Sequence, residues 1–225
     1  MGNKEGLYAL AKEVRIITFR VVGKDGEADS ISLLRASKVK RNGKEVGEAR
    51  YNAQLIVVDE AEIKAIKTKA AAVARAKWPT LTKEGFMALN LPWDNGDELV
   101  EKGRVKGKDW SYYAKSLVLG AKSKFEPRLF VFQGPGKFVQ VEGAAAEKKF
   151  YPGAWVLADV NFVAYDPVND GKPGITAYLD QVTWVQDGQR LMGGGRSPQE
   201  AFANYKGSVS KEDPTKVLDD DEIPF

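Results

Sequence analysis

The sequence predicts a mostly β fold, either a sandwich or a barrel, and three observations support this class. Several short segments rich in β-branched and apolar residues are separated by Gly, Asn and Asp turn signals. Only one long internal segment has helical periodicity. Strands and helices do not alternate as they would in a parallel α/β sheet. We expect one domain over residues 1–205, followed by a flexible linker and acidic tail over 206–225.

The first segments predict a hairpin and then a third strand. Val14–Val22 and Ser30–Val39 are the two arms, and Gly23–Gly26 lies between them as a turn signal. Asn42-Gly43 marks a second turn. Tyr51–Val58 predicts the next strand, which becomes continuously apolar near its end.

The internal helix is predicted to begin after Asp59. Asp59 and Glu62 have the spacing of a capping box, and Pro79 ends the segment. Apolar residues recur at helical spacing, namely Ile63, Ile66, Ala70 and Val73. Basic residues occupy the opposite side: Lys64, Lys67 and Arg75 in line, with Lys69 and Lys77 beside them. This side is either a phosphate-contacting surface or a solvated helix face.

The segment Trp93–Gly107 predicts a loop with a turn at Asn95-Gly96. Trp110–Phe125 then predicts a strand, because its residues alternate between two faces. One face holds Leu117, Leu119, Ala121 and Phe125, and the other holds Trp110, Tyr112, Gly120, Lys122 and Lys124.

The second face of that strand mixes aromatic rings with lysines, in the most basic stretch of the chain. Between Lys102 and Arg128 there are eight cations and two acids. Bases of any identity stack on aromatic rings while ammonium groups meet phosphates, so the pattern favours sequence-tolerant binding of an unpaired nucleic-acid strand. The alternative is a core strand whose Trp and Tyr lie under loops.

The second half predicts another hairpin and two long strands. Leu129–Phe132 and Phe138–Val141 flank a turn at Gly134–Lys137, which is no phosphate loop because its glycine spacing is wrong. Ala154–Tyr165 and Ile175–Val185 are the strands, and the inward residues of the first are Val156, Ala158, Val160 and Phe162. A short helix is expected from Ser197, containing Ala201 and Phe202, with a linker over Lys206–Leu218.

Composition excludes several classes of protein. The chain has no Cys and no His, so disulfides, Cys/His zinc sites, Cys nucleophiles and Ser-His-Asp triads are impossible. No run of about 18 apolar residues occurs, and Met1–Glu13 lacks the apolar core of a signal peptide. We expect a cytoplasmic protein without cofactor or metal, either a monomer or a dimer.

A five-stranded Greek-key OB barrel, with an extra hairpin and loops, one internal α-helix and a short C-terminal helix, fits these elements. Three segments carry a family resemblance: Trp110–Pro127, Phe150–Tyr165 and Gly174–Phe202. Together they resemble a family of bacteriophage single-stranded DNA-binding proteins with an OB fold. The resemblance implies a protein that coats unpaired DNA during phage replication, recombination or repair, in the cytoplasm of an infected bacterium.

The last seven residues form an acidic tail that ends in an aromatic: Asp219, Asp220, Asp221, Glu222, Ile223, Pro224 and Phe225. They resemble the acidic tip of bacterial single-stranded DNA-binding proteins, which implies docking on replication and repair proteins. Residues 211–225 carry six acids and two lysines, so their net charge of −4 leaves +7 on residues 1–210. An acidic segment tethered to a basic body predicts an internal competitor for the polyanion. The alternative is a solubilising tail.

The residues expected to contact DNA are Trp110, Tyr112, Lys115, Lys122, Lys124, Arg128, Lys64, Lys67, Arg75, Lys77 and Trp93. Two other functions stay open at this point. A strand-annealing or general duplex-DNA or RNA-binding factor would use the same basic and aromatic face. A magnesium nuclease would need converging carboxylates. The candidates are Asp94, Asp97 and Glu98, or Asp219–Glu222, but we expect no enzymatic activity, because the first set surrounds a turn and the second lacks a scaffold.

Overall fold

Five of the strands close into a barrel. The structure is a computed structural model, and it describes residues 6–17, 19–22, 29–41, 44–167 and 171–191. The described residues lie within one unit, Met1–Gly193. Their strands are β1 (Leu7–Ala9), β2 (Val14–Ile17), β3 (Phe19–Val22), β4 (Asp29–Ser32), β5 (Ser37–Arg41), β6 (Lys44–Val57), β7 (Trp93–Asn95), β8 (Leu117–Ser123), β9 (Arg128–Gly134), β10 (Lys137–Gln140), β11 (Trp155–Tyr165) and β12 (Gly174–Gln186).

Four α-helices accompany these strands within the described residues, so the expectation of one internal helix is wrong. They are α1 (Glu60–Lys77), α2 (Lys83–Ala88), α3 (Gly96–Val105) and α4 (Gly143–Lys149), with a 3-10 turn at Ser111–Tyr113. Two of the four, α2 and α4, have only six and seven residues. Such short helices give little periodic signal in a sequence.

The barrel ring consists of β2, β6, β8, β12 and β11, in that spatial order. All contacts around the ring are antiparallel except the parallel pair of β8 with β12, where Ala121 lies beside Ala177. The ring therefore contains its strands in the order first, second, third, fifth and fourth along the chain. This confirms the predicted five-stranded OB-type barrel.

The interior of the barrel is filled by alternate residues of every strand. Val156, Ala158, Val160 and Phe162 are each at most 4% exposed, so the inward face predicted for that strand is confirmed. They join Leu55 of β6 and Leu119 of β8, which lie opposite each other in register, in the main core cluster. Helix α1 packs on the same cluster through Ile66, Ala70, Val73 and Ala74.

A second apolar cluster lies on the outer side of the barrel wall. Ile17, Ile56 and Val118 project outwards there and pack with Leu99 of α3 and with Tyr113. Strand β6 is thus buried on both faces near its end, where Leu55, Ile56 and Val57 are each at most 1% exposed. Burial on both faces is the physical reason for the continuously apolar end of the predicted strand Tyr51–Val58.

The first predicted hairpin is confirmed, but each of its arms is divided into two strands. β3 and β4 pair antiparallel with Phe19 opposite Ser32 and form a sheet of their own. β2 instead joins the barrel, and β5 pairs with β6. The division follows from these different partners. The predicted turns at Gly23–Gly26 and Asn42-Gly43 lie outside the described residues.

Helix α1 begins as the sequence predicts, with Asp59 Oδ1 accepting a hydrogen bond from the Glu62 amide at 2.8 Å. Its C-cap is Trp78, immediately before Pro79. The carboxylate of Glu62 is buried and has two partners outside the helix. It accepts hydrogen bonds from the Tyr8 hydroxyl at 2.6 Å and from the Ala11 amide. Burial and this carboxylate together raise the pKa of the Tyr8 phenol. The bond therefore ties β1 to α1 across neutral and mildly alkaline pH.

The loop predicted over Trp93–Gly107 is wrong, because β7 and α3 occupy it. The predicted turn residue Asn95 is the N-cap of α3, and its Oδ1 accepts from the Asp97 amide at 2.9 Å. Asn serves turns and helix N-caps by the same hydrogen bond from its side chain. Leu99 and Gly103 are the buried side of the helix.

The second predicted hairpin is confirmed as β9 and β10, with left-handed backbone at Gly134 (φ 133°) and Gly136 (φ 70°) between them. The two long strands are confirmed as β11 and β12, which pair along their whole lengths. The predicted helix from Ser197, the linker over Lys206–Leu218 and the tail Asp219–Phe225 lie outside the described residues.

The backbone around Gly96 leaves no room for a larger residue, because a Cβ there would collide with the Tyr113 carbonyl oxygen and with Ser116. We expect Gly96→Ala to lower the free energy of unfolding by about 1–3 kcal/mol, the usual cost of overpacking, as measured by urea denaturation. Gly120→Ala is the matched control, since its Cβ would meet only the Pro92 carbonyl at an ordinary 3.6 Å. Equal unfolding midpoints for the two variants would contradict the prediction.

Candidate nucleic-acid interface

The outer surface of β6 and β8 is open at the end away from α3. Leu119 and Ala121 point into the core, so Gly120 and Lys122 between and beyond them point outwards. In register, Asn52 lies opposite Lys122, and Tyr178 of β12 lies on the other side of Lys122. Arg50 precedes Asn52 by two residues and shares its face. We call Arg50, Asn52, Gly120, Lys122 and Tyr178 the β6–β8 patch.

The patch has two neighbouring cations. Partial burial lowers the pKa of the Lys122 amine, and the positive charge of Arg50 lowers it further. Within the described part of the chain, neither Lys122 nor Arg50 forms an ion pair with a carboxylate. Two close cations without a counter-charge favour the binding of an anion, which would relieve their mutual repulsion.

Two further predicted cations flank the patch, and each is held by an acid. Lys124 Nζ lies 3.2 Å from Glu48 Oε1, and Arg128 Nη2 lies 2.6 Å from Asp180 Oδ2. More than half of each side chain in both pairs is exposed to solvent. Such exposed ion pairs contribute little stability. A phosphate group can therefore replace either carboxylate at small cost.

Arg50, Asn52 and Tyr178 are the patch residues that the sequence prediction missed. Tyr178 had a signal in the sequence: it alternates with Ala177 and Leu179, which are buried, and it is 37% exposed. Arg50 lies directly before the predicted strand Tyr51–Val58 and had no signal of its own. Only the cross-strand register brings these residues beside Lys122.

Trp110 and Tyr112 were expected on the same strand face as Lys122, and this placement is wrong. The strand begins only at Leu117, and the two rings belong to the 3-10 turn and its N-cap. Both are half-buried against the outer apolar cluster, with the Tyr112 and Tyr113 ring centroids 4.5 Å apart. Their contact with α3 fixes them: a Cβ at Gly103 would touch Trp110.

Phe125 was also expected on the same strand face as Leu117, Leu119 and Ala121, and this is wrong. β8 ends at Ser123, and Phe125 lies beyond it in the connection to β9. Its side chain is 78% exposed. The early end of the strand removes the alternation that the prediction assumed.

Trp93 and Lys115 complete the predicted residues around this part of the barrel. Trp93 lies opposite Leu119 on β7 and packs half-buried against the main core. Lys115 is exposed and has a left-handed backbone conformation (φ 54°), and its amide donates to Asp97 Oδ1 at 2.8 Å. This bond fixes the turn that leads into β8.

The predicted cations of the helix lie on a different element from the patch. Lys64, Lys67 and Arg75 line a groove of about 570 Å³ on α1, whose other walls include Ala72 and Phe86. Lys77 is instead ion-paired with Asp166 at 2.7 Å. The helix packs on the main core and contacts β11, whereas the patch is formed by β6, β8 and β12.

Asp94, Asp97 and Glu98, the described carboxylates considered for a nuclease, do not converge on a metal site. In the ranges that the structure describes, no group of three or more acidic residues is placed to hold a metal ion. Asp97 is engaged by the Lys115 amide, and Asp219–Glu222 lie outside the described residues. Among the helices of the described residues, none is long and apolar enough to cross a membrane.

Comparison with known proteins gives one family and one group of structures. The model of the family described as "Enterobacter phage Enc34, ssDNA-binding protein" matches residues 31–214. No curated protein sequence matches the chain significantly. Among solved structures, the single-stranded DNA-binding protein from bacteriophage Enc34 is 16% identical with a TM-score of 0.56, over 88% of this chain and 91% of that one.

Two further structures of that bacteriophage Enc34 protein are similar at the same 16% identity, each over 84% of this chain and 90% of the other. One is in complex with single-stranded DNA and has a TM-score of 0.56. The other is a C-terminal truncation with a TM-score of 0.58. At this level of identity the likeness establishes the fold.

The proximity of Arg50 and Lys122 predicts that the pKa of the Lys122 amine depends on the charge of residue 50. In Arg50→Gln the pKa of the Lys122 amine should rise, because one cause of its depression is removed. NMR of the ¹³C-methylated lysines measures this pKa, with Lys122→Arg used to assign the signal. Arg35→Gln is the control, since Arg35 interacts with Glu147 instead. Identical Lys122 titration curves in wild type and Arg50→Gln would contradict the described geometry.

Proposed function

The chain belongs to the family of the Enterobacter phage Enc34 single-stranded DNA-binding protein, and we propose that it binds unpaired DNA without sequence preference through the β6–β8 patch. One observation carries the location of the site: Arg50 and Lys122 lie together without an acid partner in the described residues, beside the exposed ring of Tyr178. The patch occupies the second and third barrel strands, the surface on which OB folds bind oligonucleotides.

The patch supplies the two kinds of contact that sequence-tolerant binding needs. The cations Arg50 and Lys122 displace counterions from the phosphates, and Lys124 and Arg128 can exchange their carboxylate partners for the same phosphates. Tyr178 offers a ring on which any base can stack, for about 1–3 kcal/mol per base. Gly120 leaves room for the strand to approach the sheet, because it has no side chain and its position is exposed. Neither kind of contact distinguishes one base from another.

The finer role follows from the family. We infer a protein without enzymatic activity that coats and protects single-stranded DNA in the cytoplasm of an infected bacterium, during phage replication, recombination or repair. Trp110, Tyr112, Trp93, Lys115 and the α1 cations stay candidates for contacts outside the patch. A strand that leaves the barrel surface could reach them.

The C-terminal tail is proposed to regulate this binding. Its carboxylates, Asp219–Glu222, carry the charge that the basic body attracts, and they compete with the phosphates when no DNA is present. DNA displaces the tail, and Ile223, Pro224 and Phe225 then become available to replication and repair proteins. The competition is electrostatic, so salt weakens it.

Substitutions in the patch should separate the charge contribution from the stacking contribution. We expect Lys122→Ala to weaken oligo-dT binding and to reduce the slope of log affinity against log salt by about 0.7, the value for one single-strand phosphate. Tyr178→Ala should weaken binding by about 5- to 150-fold with an unchanged slope. Fluorescence anisotropy over a salt series measures both.

Lys83→Ala serves as the control, because Lys83 is exposed on α2 outside the patch. Normal affinity in both Lys122→Ala and Tyr178→Ala would contradict the proposed site. Competition with duplex DNA and with RNA of matched length tests the class of ligand. Stronger binding of either competitor than of single-stranded DNA would favour the annealing or general nucleic-acid-binding function instead.

Removal of residues 211–225 should tighten DNA binding, most strongly at low salt, because the competing carboxylates are gone. Phe225→Ala is the matched control: it keeps every tail carboxylate and should keep the wild-type affinity, while losing retention of replication proteins in a pull-down. Truncated protein with unchanged or weaker DNA affinity at low salt would refute the competition.

A further inference from the structure

The exposed aromatic rings lie on β12 and on the segments that follow β8. Among the side chains that the structure describes, the aromatic residues with more than about a third of their surface exposed are Phe125, Phe138 and Tyr178. Phe138 lies on β10, Phe125 in the connection between β8 and β9, and Tyr178 on β12. The other described rings are buried or half-buried. A ring exposed singly is ordinary, whereas exposed rings that adjoin one another mark a binding surface, so the neighbours of each ring decide its meaning.

Strand β9 continues the path of β8. β11 pairs along the full length of β12 and occupies one of its edges. β8 and β9 must therefore share the other edge, where Lys122 lies beside Tyr178 and Phe130 lies beside Thr183. The connection that contains Phe125 joins the two strands at this edge.

The rings of β9 and β10 face outwards, on the same side as the β6–β8 patch. Leu129 and its partner Val182 are buried in the core, so Arg128, Phe130 and Phe132 point away from it. Phe138 lies opposite Phe132 in register, and the two ring centroids are 5.6 Å apart. None of the three phenylalanines belongs to either core cluster.

We propose that Phe132 and Phe138 form a second base-stacking subsite for the same DNA strand that the β6–β8 patch binds, with Phe125 on the connection between the two sites. The strand would run along β8 and β9, with Arg128 between the two sites meeting a phosphate in place of Asp180. Phe130 is level with Thr183, five residues beyond Tyr178 on β12, and Phe132 lies two residues further along β9. The two sites are therefore about 23 Å from each other. This inference rests on the proposed function and extends its surface.

The chemistry of the hairpin fits a polynucleotide. Its outward and exposed side chains combine rings with Arg128 and Gln140, which is the mixture of stacking and polar groups that single-strand sites use. The face is continuous with the cations of the patch through hydrogen-bonded strands. A second copy of the chain could bind this hairpin instead of DNA, by pairing with β10. Within the described residues β10 pairs with β9 alone, so its other edge is not paired there.

The test compares two lengths of oligo-dT, about 3 and about 20 nucleotides, with the full-length protein; the short one cannot reach from the patch to the hairpin. We expect Phe138→Ala to weaken binding of the long oligonucleotide by about 5- to 150-fold and to leave the short one unchanged, since the short one is held by the patch alone. Phe138→Trp should retain the long-oligonucleotide affinity. Val139→Ala is the matched control, because Val139 is the next residue of β10 and is exposed but faces the other side of the hairpin.

Lys122→Ala separates failure of this inference from failure of the proposed function. It should weaken binding of both lengths, since the patch binds both. If Lys122→Ala weakens both lengths but Phe138→Ala weakens neither, the hairpin subsite is wrong and the patch stands. If Lys122→Ala weakens neither, the patch itself is wrong. A change in sedimentation of Phe138→Ala without any loss of long-oligonucleotide affinity would assign the ring to a second copy and overturn the inference.

Discussion

The pairing of β12 along both of its edges is the constraint on which the rest of the structure depends. One edge is taken by β11 over its whole length, and the other is shared by β8 and β9. The parallel contact with β8 closes the ring of five strands and encloses the main core. The same contact sets the register that brings Tyr178 beside Lys122. Closure of the barrel and assembly of the candidate site therefore depend on the same pairing of strands.

The distribution of apolar residues on the outer wall decides where a ligand can bind. Near the end of β6, the residues Ile56 and Val118 are covered by α3 and the 3-10 turn, so that half of the wall is unavailable. The remaining half carries Arg50 and Lys122. The aromatic residues Trp110 and Tyr112 pack on the covered, apolar half and do not belong to the open half. Packing and binding thus use different ends of the same two strands.

The barrel was predictable from the sequence because its elements carry local signals. Alternation from Val156 to Phe162 marked an inward face, and Asp59 marked a helix start. The two glycines of the β9–β10 turn supplied the left-handed conformations that it needs. The turn predicted at Asn95 is instead the N-cap of α3. Asn suits both a turn and a helix N-cap, and only the packing of α3 decides between them.

The site was only partly predictable, because its members meet through register rather than sequence. Lys122 was found from its strand, but its neighbours Arg50 and Tyr178 come from strands distant in the chain. Trp110 was placed on the same face because the beginning of β8 was set too early by several residues. A β-strand reverses its facing at every residue, so an assumed strand that extends beyond the real one gives false neighbours.

The shared edge of β12 also has a mechanical consequence. β8 and β9 carry the two groups of outward side chains, and both are joined to β12 by ladders that run parallel to the strand axis. A taut polynucleotide lying along these strands would pull along that axis. The ladder would then bear the load in shear, with its hydrogen bonds resisting together, instead of being peeled open one bond at a time.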